Sequence, residues 1–439
     1  MSAKPKIIVL DDDPTGSQTV HSCLLVTSWD EETLRLGLRD QSPIFFVLTN
    51  TRSLTPEKAA SVTREACQNL KSAIAAEEIK DFLIVSRSDS TLRGHYPIET
   101  DVIAEELGPF DAHFLIPAFF EGGRITRNSV HYLMVNSVAV PVHETEYAKD
   151  SVFGYSHSYL PDYVEEKTKQ RIASDTVDRI LLADIRYGSL DRLRNMTDNQ
   201  CAVVDGESQS DLDSFAKHAL GAVSQGKRFL FRSAASILTS LAALGNQPVA
   251  AEEMAKYVRG GKPGAIIVGS HVKKTTEQLE HLLEEPNTVS IEIDVSHLLE
   301  DSPEYQAQVL EETLEKVRSA HNEGKTPVIY TSRKELKFED AEKRLKFGAA
   351  VSALLMDVVR GLPADIGFLI SKGGITSNDV LSTGLSLKSV RQIGQIIAGC
   401  SVVKTEPDHP LFPDLPVVLF PGNVGDSNAL VAVYKRLSK

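Results

Sequence analysis

The chain has 439 residues, 42% of them hydrophobic and 24% charged, with a formal net charge of −13. This balance excludes disordered and fibrous chains, and an acidic chain without a Lys/Arg block is a poor match for nucleic acid or an anionic membrane. The length points to two domains, or one large one.

Cys23, Cys67, Cys201 and Cys400 are scattered with no CxxC pair. They read as reduced core thiols, not as a disulfide framework or a zinc site. The opening MSAKPKIIVLDDD has one short apolar run followed by acids, which is not a signal peptide, and no run approaches membrane-spanning length. A cytoplasmic chain is expected.

In chain order, the first half offers strands at KIIVL, CLLVTS, IFFVLT, FLIVSR, HFLIPA, ILLADI, CAVVDG and RFLFRS. Helical patterns lie between them, notably TPEKAASVTREACQNLKSAIAAEE (55–78) and SDLDSFAKHALGAVSQGK (210–227). Such alternation predicts an α/β architecture with a mostly parallel sheet. The stretch 141–168 breaks the rhythm: it is aromatic, polar and turn-prone, and reads equally as a lid or binding loop and as an excursion hairpin or interface element.

The second half restarts the pattern with strands at GAIIVGS, VSIEID, TPVIYTS and DIGFLISKGG. Its clearest helix is 302–325, with Ser302 as N-cap, Pro303 in the first turn and Gly324 as the stop. The Gly-, Pro- and charge-rich stretch at 245–263 is the expected boundary, giving domains 1–245 and 263–439, each with a mostly parallel sheet flanked by helices.

Asp11, Asp12 and Asp13 end the first strand. In parallel sheets ligands sit beyond the carboxyl ends of strands, and three adjacent carboxylates cannot all be buried and ionised cheaply. They could receive a phosphoryl group, hold a cation or take a proton from a hydroxyl. After the strand at 44–49 comes Arg52, whose planar fork suits a carboxylate or phosphate. After the strand at 82–87, the stretch 87–94 gathers Arg87, Ser88, Asp89, Ser90, Thr91 and Arg93, the making of a loop for a polyol and a carboxylate. Asp89 competes with Asp12 and Asp13 as a general base.

The second half carries glycine turns after strands: Gly269-Ser270, Gly373-Gly374-Ile375-Thr376 and Gly422-Asn423. Several such turns at one sheet edge let backbone N–H groups approach phosphates. The spacing in GAVSQGKR (221–228) imitates a phosphate loop, but Arg228 replaces the hydroxyl residue and the stretch ends a helix. No HExxH occurs among the twelve histidines.

Two enzyme classes fit the opening acids. IIVLDDDPT satisfies the DxDxT signature of haloacid dehalogenase-type phosphatases, with Asp11 as nucleophile and Asp13 as acid, yet Leu430 stands where a second metal acid belongs. The whole chain resembles the four-carbon acid sugar kinase family. DDPTG (12–16), TNTRS (49–53) and RSDSTLRG (87–94) are similar to its substrate motifs. GSHV (269–272), GGITSNDV (373–380) and FPGNVG (420–425) are similar to its nucleotide turns. Arg87 and Phe420 each stand where that family carries lysine.

The resemblance implies an ATP-dependent kinase acting on a hydroxyl of threonate, erythronate, a 3-oxo-tetronate or a branched analogue, with ATP and Mg²⁺ as cofactors. It implies an active site in the interdomain cleft. Asp12 or Asp13 would be the catalytic base. Asp12, Arg52, Arg87, Ser88, Asp89, Ser90 and Arg93 would bind the sugar acid. Ser270, Gly373, Gly374, Ile375, Thr376, Gly422 and Asn423 would bind ATP. No resident metal ligand, nucleic acid or membrane is expected, and a homodimer is left open. A non-catalytic sugar-acid sensor is the third class.

Overall fold

The computed structural model describes residues 4–296, 298, 303–333, 341–422 and 424–438. The chain divides into two compact units, Met1–Asn246 and Gln247–Lys439.

The first unit contributes strands β1 (Lys6–Asp11), β2 (Cys23–Val26), β3 (Ile44–Leu48), β4 (Phe82–Arg87), β5 (Ala112–Ile116), β6 (Arg124–Arg127), β7 (Val130–Val135), β8 (Val138–Pro141), β9 (Asp178–Ile180), β10 (Gln200–Val204) and β11 (Phe229–Ser233). Its main sheet runs β2-β3-β1-β4-β11-β5-β10-β9, and every neighbouring pair is parallel. The central strands are Val/Ile/Leu/Phe runs buried almost throughout, as a sheet covered on both faces requires. Helix Pro56–Ala76 shows how the covering layer starts: Thr55 caps it by accepting the Lys58 N–H, Pro56 needs no amide partner, and Ala59, Ala66, Leu70 and Ala73 face the core.

The stretch ILLADI, expected as a strand, is one only up to Ile180. Residues Leu182–Tyr187 are helical. Asp184 accepts the Leu181 N–H at 2.9 Å, satisfying a first-turn donor and turning the chain out of the sheet. Just ahead of the irregular stretch 141–168 lies an unanticipated antiparallel sheet, β6-β7-β8, closed by two-residue turns at Asn128-Ser129 and Asn136-Ser137 with all four residues at positive φ.

The second unit adds β12 (Ala265–Val268), β13 (Thr288–Ile293), β14 (Thr326–Thr331), β15 (Leu369–Lys372), β16 (Ser389–Ile397), β17 (Cys400–Lys404) and β18 (Pro416–Phe420). Its sheet runs β13-β14-β12-β15-β18-β17-β16, parallel from β13 to β18, with β17 and β16 antiparallel. Helix Pro303–Asn322 forms as its periodicity predicts and Gly324 stops it at φ +72, while the proposed cap Ser302 lies outside the described residues. The 221–228 stretch sits at the end of helix Gln209–Val223, and Lys227 Nζ is used on the Met196 carbonyl at 2.7 Å. Among the described residues no helix is long and apolar enough to cross a membrane.

Phe114 of β5 lies at the centre of an aromatic group, its ring 5.3, 5.0 and 5.5 Å from those of Phe215, Phe229 and Phe231. Phe114→Ala should cost the first unit about 3–5 kcal/mol. The check is the urea midpoint of that unit, and an unchanged midpoint would contradict this packing.

Candidate active site

Four neighbouring strands bring the predicted substrate residues together. Asp11 at the end of β1 is in register with Leu48 of β3 and with Arg87 of β4, and Arg87 is in register with Ser233 of β11. Because the strands are parallel, all four carboxyl ends reach one edge, and the turns that follow hold the rest.

Arg52 stands on the short 3-10 turn Thr51–Ser53, after Asn50 at φ 50. Its guanidinium bonds Asp12 through both Nη2 and Nε, the latter at 3.1 Å. Asp13 lies 3.5 Å and Asp89 4.0 Å from its Nη1. Arg87 Nη1 approaches Asp11 at 3.4 Å and Asp12 at 3.6 Å. Arg93 Nε donates to Asp89 at 2.8 Å. Ser88 Oγ lies 2.8 Å from Asp12 Oδ2 and 3.0 Å from the Arg93 carbonyl. Asp12, Asp13, Arg52, Arg87, Ser88, Asp89 and Arg93 thus form one network. Ser90 is also buried beside them, its carbonyl accepting from His131 Nε2 at 2.7 Å.

The electrostatics separate the acids. Burial pushes Asp11 up to about 8, against the pull of Arg87. A Cβ on Gly16 would stand 2.1 Å from the Asp11 carboxyl, so the turn closes directly over it. Asp11 is therefore a covered, protonated acid at neutral pH, unsuited to nucleophilic attack. Burial also raises Asp13 and Asp89. For Asp13 the guanidiniums of Arg52 and Arg87 and the bonds from Thr15 outweigh it, and for Asp89 those of Arg93 and Arg52 do, so both stay below the ordinary carboxylate range. Asp12 has a side chain 1% exposed, Asp13 one 18% exposed, so Asp13 presents the more open carboxylate.

Sequence reasoning missed the supports behind this network. Arg232 of β11 and Glu99 form a buried pair at 2.6 Å; Arg232 also donates to Ser86 at 2.7 Å and to Ser88 at 2.8 Å. Thr51 Oγ1 donates to the other oxygen of Glu99 at 2.5 Å, tying the Arg52 turn to the same pair. Three successive carbonyls of the 88–94 loop are held by the excursion. Beyond His131 on Ser90, Tyr155 donates to Thr91 at 2.7 Å and Tyr163 to Leu92 at 2.8 Å. Burial lowers His131 to about 4, so it is neutral, accepting from Thr126 at Nδ1 while Nε2 donates. Tyr147 lies under Arg93 at 4.9 Å and Asp150 stands 3.8 Å from it. The aromatic richness of 141–168 was the available signal for the tyrosine clamps, and His131 lies ahead of it. The paired Asn-Ser dipeptides in RNSV and VNSV were the signal for the hairpins.

In the second unit the glycine turns also converge. Val268, Lys372 and Phe420 are in mutual register at the ends of β12, β15 and β18. A Cβ on Gly269 would meet Thr376 Oγ1 at 2.2 Å, one on Gly373 would meet Ser270 Cβ at 3.1 Å, and one on Gly422 would meet Ser270 Oγ at 3.0 Å. A side chain at Gly269 would require Thr376 to shift, those at Gly373 and Gly422 would be tight, and Gly373 also favours glycine through its φ of +125. Thr275 Oγ1 links Ser270 Oγ at 3.2 Å to the Gly422 carbonyl at 2.9 Å. The N–H groups of Gly269, Ser270 and Gly373 are spent on strand-end carbonyls, which leaves donation to a ligand to Gly374 and the residues after it. Ile375 is 63% exposed beside them, and Asn423 lies outside the described residues.

Comparison with known proteins agrees with this division. Residues 7–241 match a sugar-binding N-terminal domain and residues 265–430 a nucleotide-binding C-terminal domain. The chain belongs to the four-carbon acid sugar kinase family, whose members are sugar-acid kinases with a nucleotide-binding C-terminal domain. A D-erythronate kinase of Heliobacterium modesticaldum is 22% identical over 448 residues, covering 96% of this chain and 95% of its own. A D-threonate kinase of Bordetella bronchiseptica is 29% identical over 165 residues, 36% of this chain and 38% of its own. The fold is shared with a crystal structure from Salmonella typhimurium LT2, with a TM-score of 0.70 at 18% identity over 98% of both chains. It is also shared with a Haemophilus influenzae protein, with a TM-score of 0.63 at 18% identity over 98% of this chain and 100% of that one.

Two outcomes follow from the buried charges. Arg232→Met strands Glu99 without its partner and should cost about 3–5 kcal/mol in denaturant unfolding, with part of the loss recovered by Arg232→Met/Glu99→Gln. Full stability in the single variant would contradict the pairing. Asp11 keeps its proton up to about 8 when folded and loses it near 4 when unfolded, so its contribution to stability is lost as pH rises through that window. Asp11→Asn should lose less stability than wild type between about pH 5 and about pH 8; equal losses would show that Asp11 does not titrate there.

Proposed function

We propose that the chain transfers the γ-phosphoryl group of ATP to a hydroxyl of a four-carbon sugar acid, with threonate, erythronate and 3-oxo-tetronate as the candidate substrates. The observation that carries this reading is the strand-end network of Asp12, Asp13, Asp89, Arg52, Arg87 and Arg93 within a sugar-binding domain. The names of the erythronate and threonate kinases support the substrate class.

Arg52, with Arg87 or Arg93, receives the substrate carboxylate, and Asp12, Ser88, Asp89 and Ser90 hold hydroxyls. Asp12 is held by Arg52 and Ser88, whereas Asp13 is more exposed. Asp13 is therefore the better placed group to accept the proton of the attacking hydroxyl, a contribution of about 10²–10⁴-fold. The turns at Ser270, Gly373–Thr376 and Gly422, with Asn423, hold the nucleotide. Mg²⁺ enters as part of the nucleotide complex and neutralises phosphate charge. The reading needs no resident metal site.

Incubation of the full chain with MgATP and a panel of four-carbon acids should release ADP with at least one of them. Asp13→Asn should lower kcat about 10²–10⁴-fold while leaving the substrate KM within a few-fold. No ADP release with any tetronate would overturn the reading, and a KM effect alone would move the base to another acid.

A further inference from the structure

Among the described residues three cations are buried: Arg87, Arg232 and Lys372. Arg87 faces Asp11 and Asp12, and Arg232 faces Glu99. Lys372 has no carboxylate within ion-pair reach among the described residues. It is 0% exposed. Its Nζ donates to the Pro421 carbonyl at 2.5 Å and to the Gly422 carbonyl at 3.1 Å, and lies 4.0 Å from the centre of the Phe420 ring.

An ammonium taken from water without a counter-ion is costly. Carbonyl dipoles and an aromatic face offset only part of that cost. The missing counter-charge has one obvious source, because Lys372 ends β15 and both of its acceptors belong to the turn that brings Gly422 against Ser270. An anion held at these turns would supply it.

We propose that Lys372 is the positioning cation of the nucleotide site. It fixes the Pro421–Gly422 turn through its two carbonyls and provides, from behind the backbone, the positive charge that a bound phosphate group faces. This rests on the kinase reading above. Lys372 acts through the turn and through space; it is too deeply covered to touch the ligand as it stands.

The neighbours of Lys372 give the inference a pH signature. Burial is the main influence and lowers its pKa to about 7; the Cys400 thiol of β17 opposes this weakly, and Lys274 of helix Lys273–Leu283 adds to it. The facing positions of β12 and β18 are Val268 and Phe420, which do not titrate. A phosphate anion nearby favours the charged amine, so binding should draw a proton onto Lys372, and affinity should fall as pH rises above about 7.

The test is calorimetric titration of the full chain with MgADP, in buffers of different ionisation enthalpy at about pH 8, on wild type, Lys372→Met and Lys372→Arg. Wild type should take up a fraction of a proton. Lys372→Met should bind about tenfold or more weakly without that uptake. Lys372→Arg should retain most of the affinity with no uptake, since a guanidinium stays protonated. Thermal midpoints and sugar-acid binding by the variants check that each has folded. Lys372→Met binding MgADP like wild type, with the same proton count, would overturn the inference alone. A wild type that binds no nucleotide would overturn the kinase reading with it.

Discussion

Parallel strands that end at one level force their terminal side chains into one small volume. In the first unit those ends are Asp11, Arg87 and Ser233, with Asp12, Ser88 and the Arg52 turn one step beyond. So many charges can share a poorly solvated space only by neutralising each other. Arg52, Arg87 and Arg93 stand against Asp12, Asp13 and Asp89, and Asp11, which would unbalance the set, is the acid that burial protonates. In the proposed reading, a substrate carboxylate would meet guanidiniums that already face internal acids, and would share them with those acids.

The loop at 88–94 supplies Ser88, Asp89 and Arg93 to this network, and its own backbone favours no regular structure: Leu92 lies at φ +66 and Gly94 at φ +134. Bonds within it, from Arg93 to Asp89 and from Ser88 to the Arg93 carbonyl, are joined by three from outside. His131, Tyr155 and Tyr163 each hold one of three consecutive carbonyls, and all three are buried, so the loop would lose little freedom on binding a ligand. The excursion that carries these residues also supplies Tyr147 and Asp150 to Arg93. It therefore acts as a buttress to the 88–94 loop.

Much of this was legible in the sequence. Runs such as KIIVL and IFFVL are too apolar to be anything but covered strands, and the polar residues after them had to lie at a sheet edge. What periodicity does not carry is strand order. Arg232 lies more than a hundred residues from Glu99 and Ser88, and becomes their partner only because β11 sits beside β4. The hairpins at 124–141 were missed because their alternation is weak, although the Asn-Ser turns marked them. Phe420 read as the loss of a lysine. Register across β15 and β18 places Lys372 opposite it, so the amine that the resemblance led one to expect at position 420 reaches the turn from the neighbouring strand.

The two units thus treat buried charge in opposite ways, and the difference suits what each would hold. A sugar acid carries one carboxylate and several hydroxyls, so a balanced set of acids and guanidiniums can match it group by group without a large change in net charge. A nucleotide's phosphates concentrate negative charge in a compact group. A site that was already balanced would repel part of it, whereas an ammonium lacking a counter-ion gains one when the phosphate arrives. The free protein accepts the cost of an unpaired Lys372 because two carbonyls and the Phe420 ring reduce it. What remains of that cost can be relieved by loss of the proton, and in the proposed reading an anion at the turn would relieve it with the amine still charged.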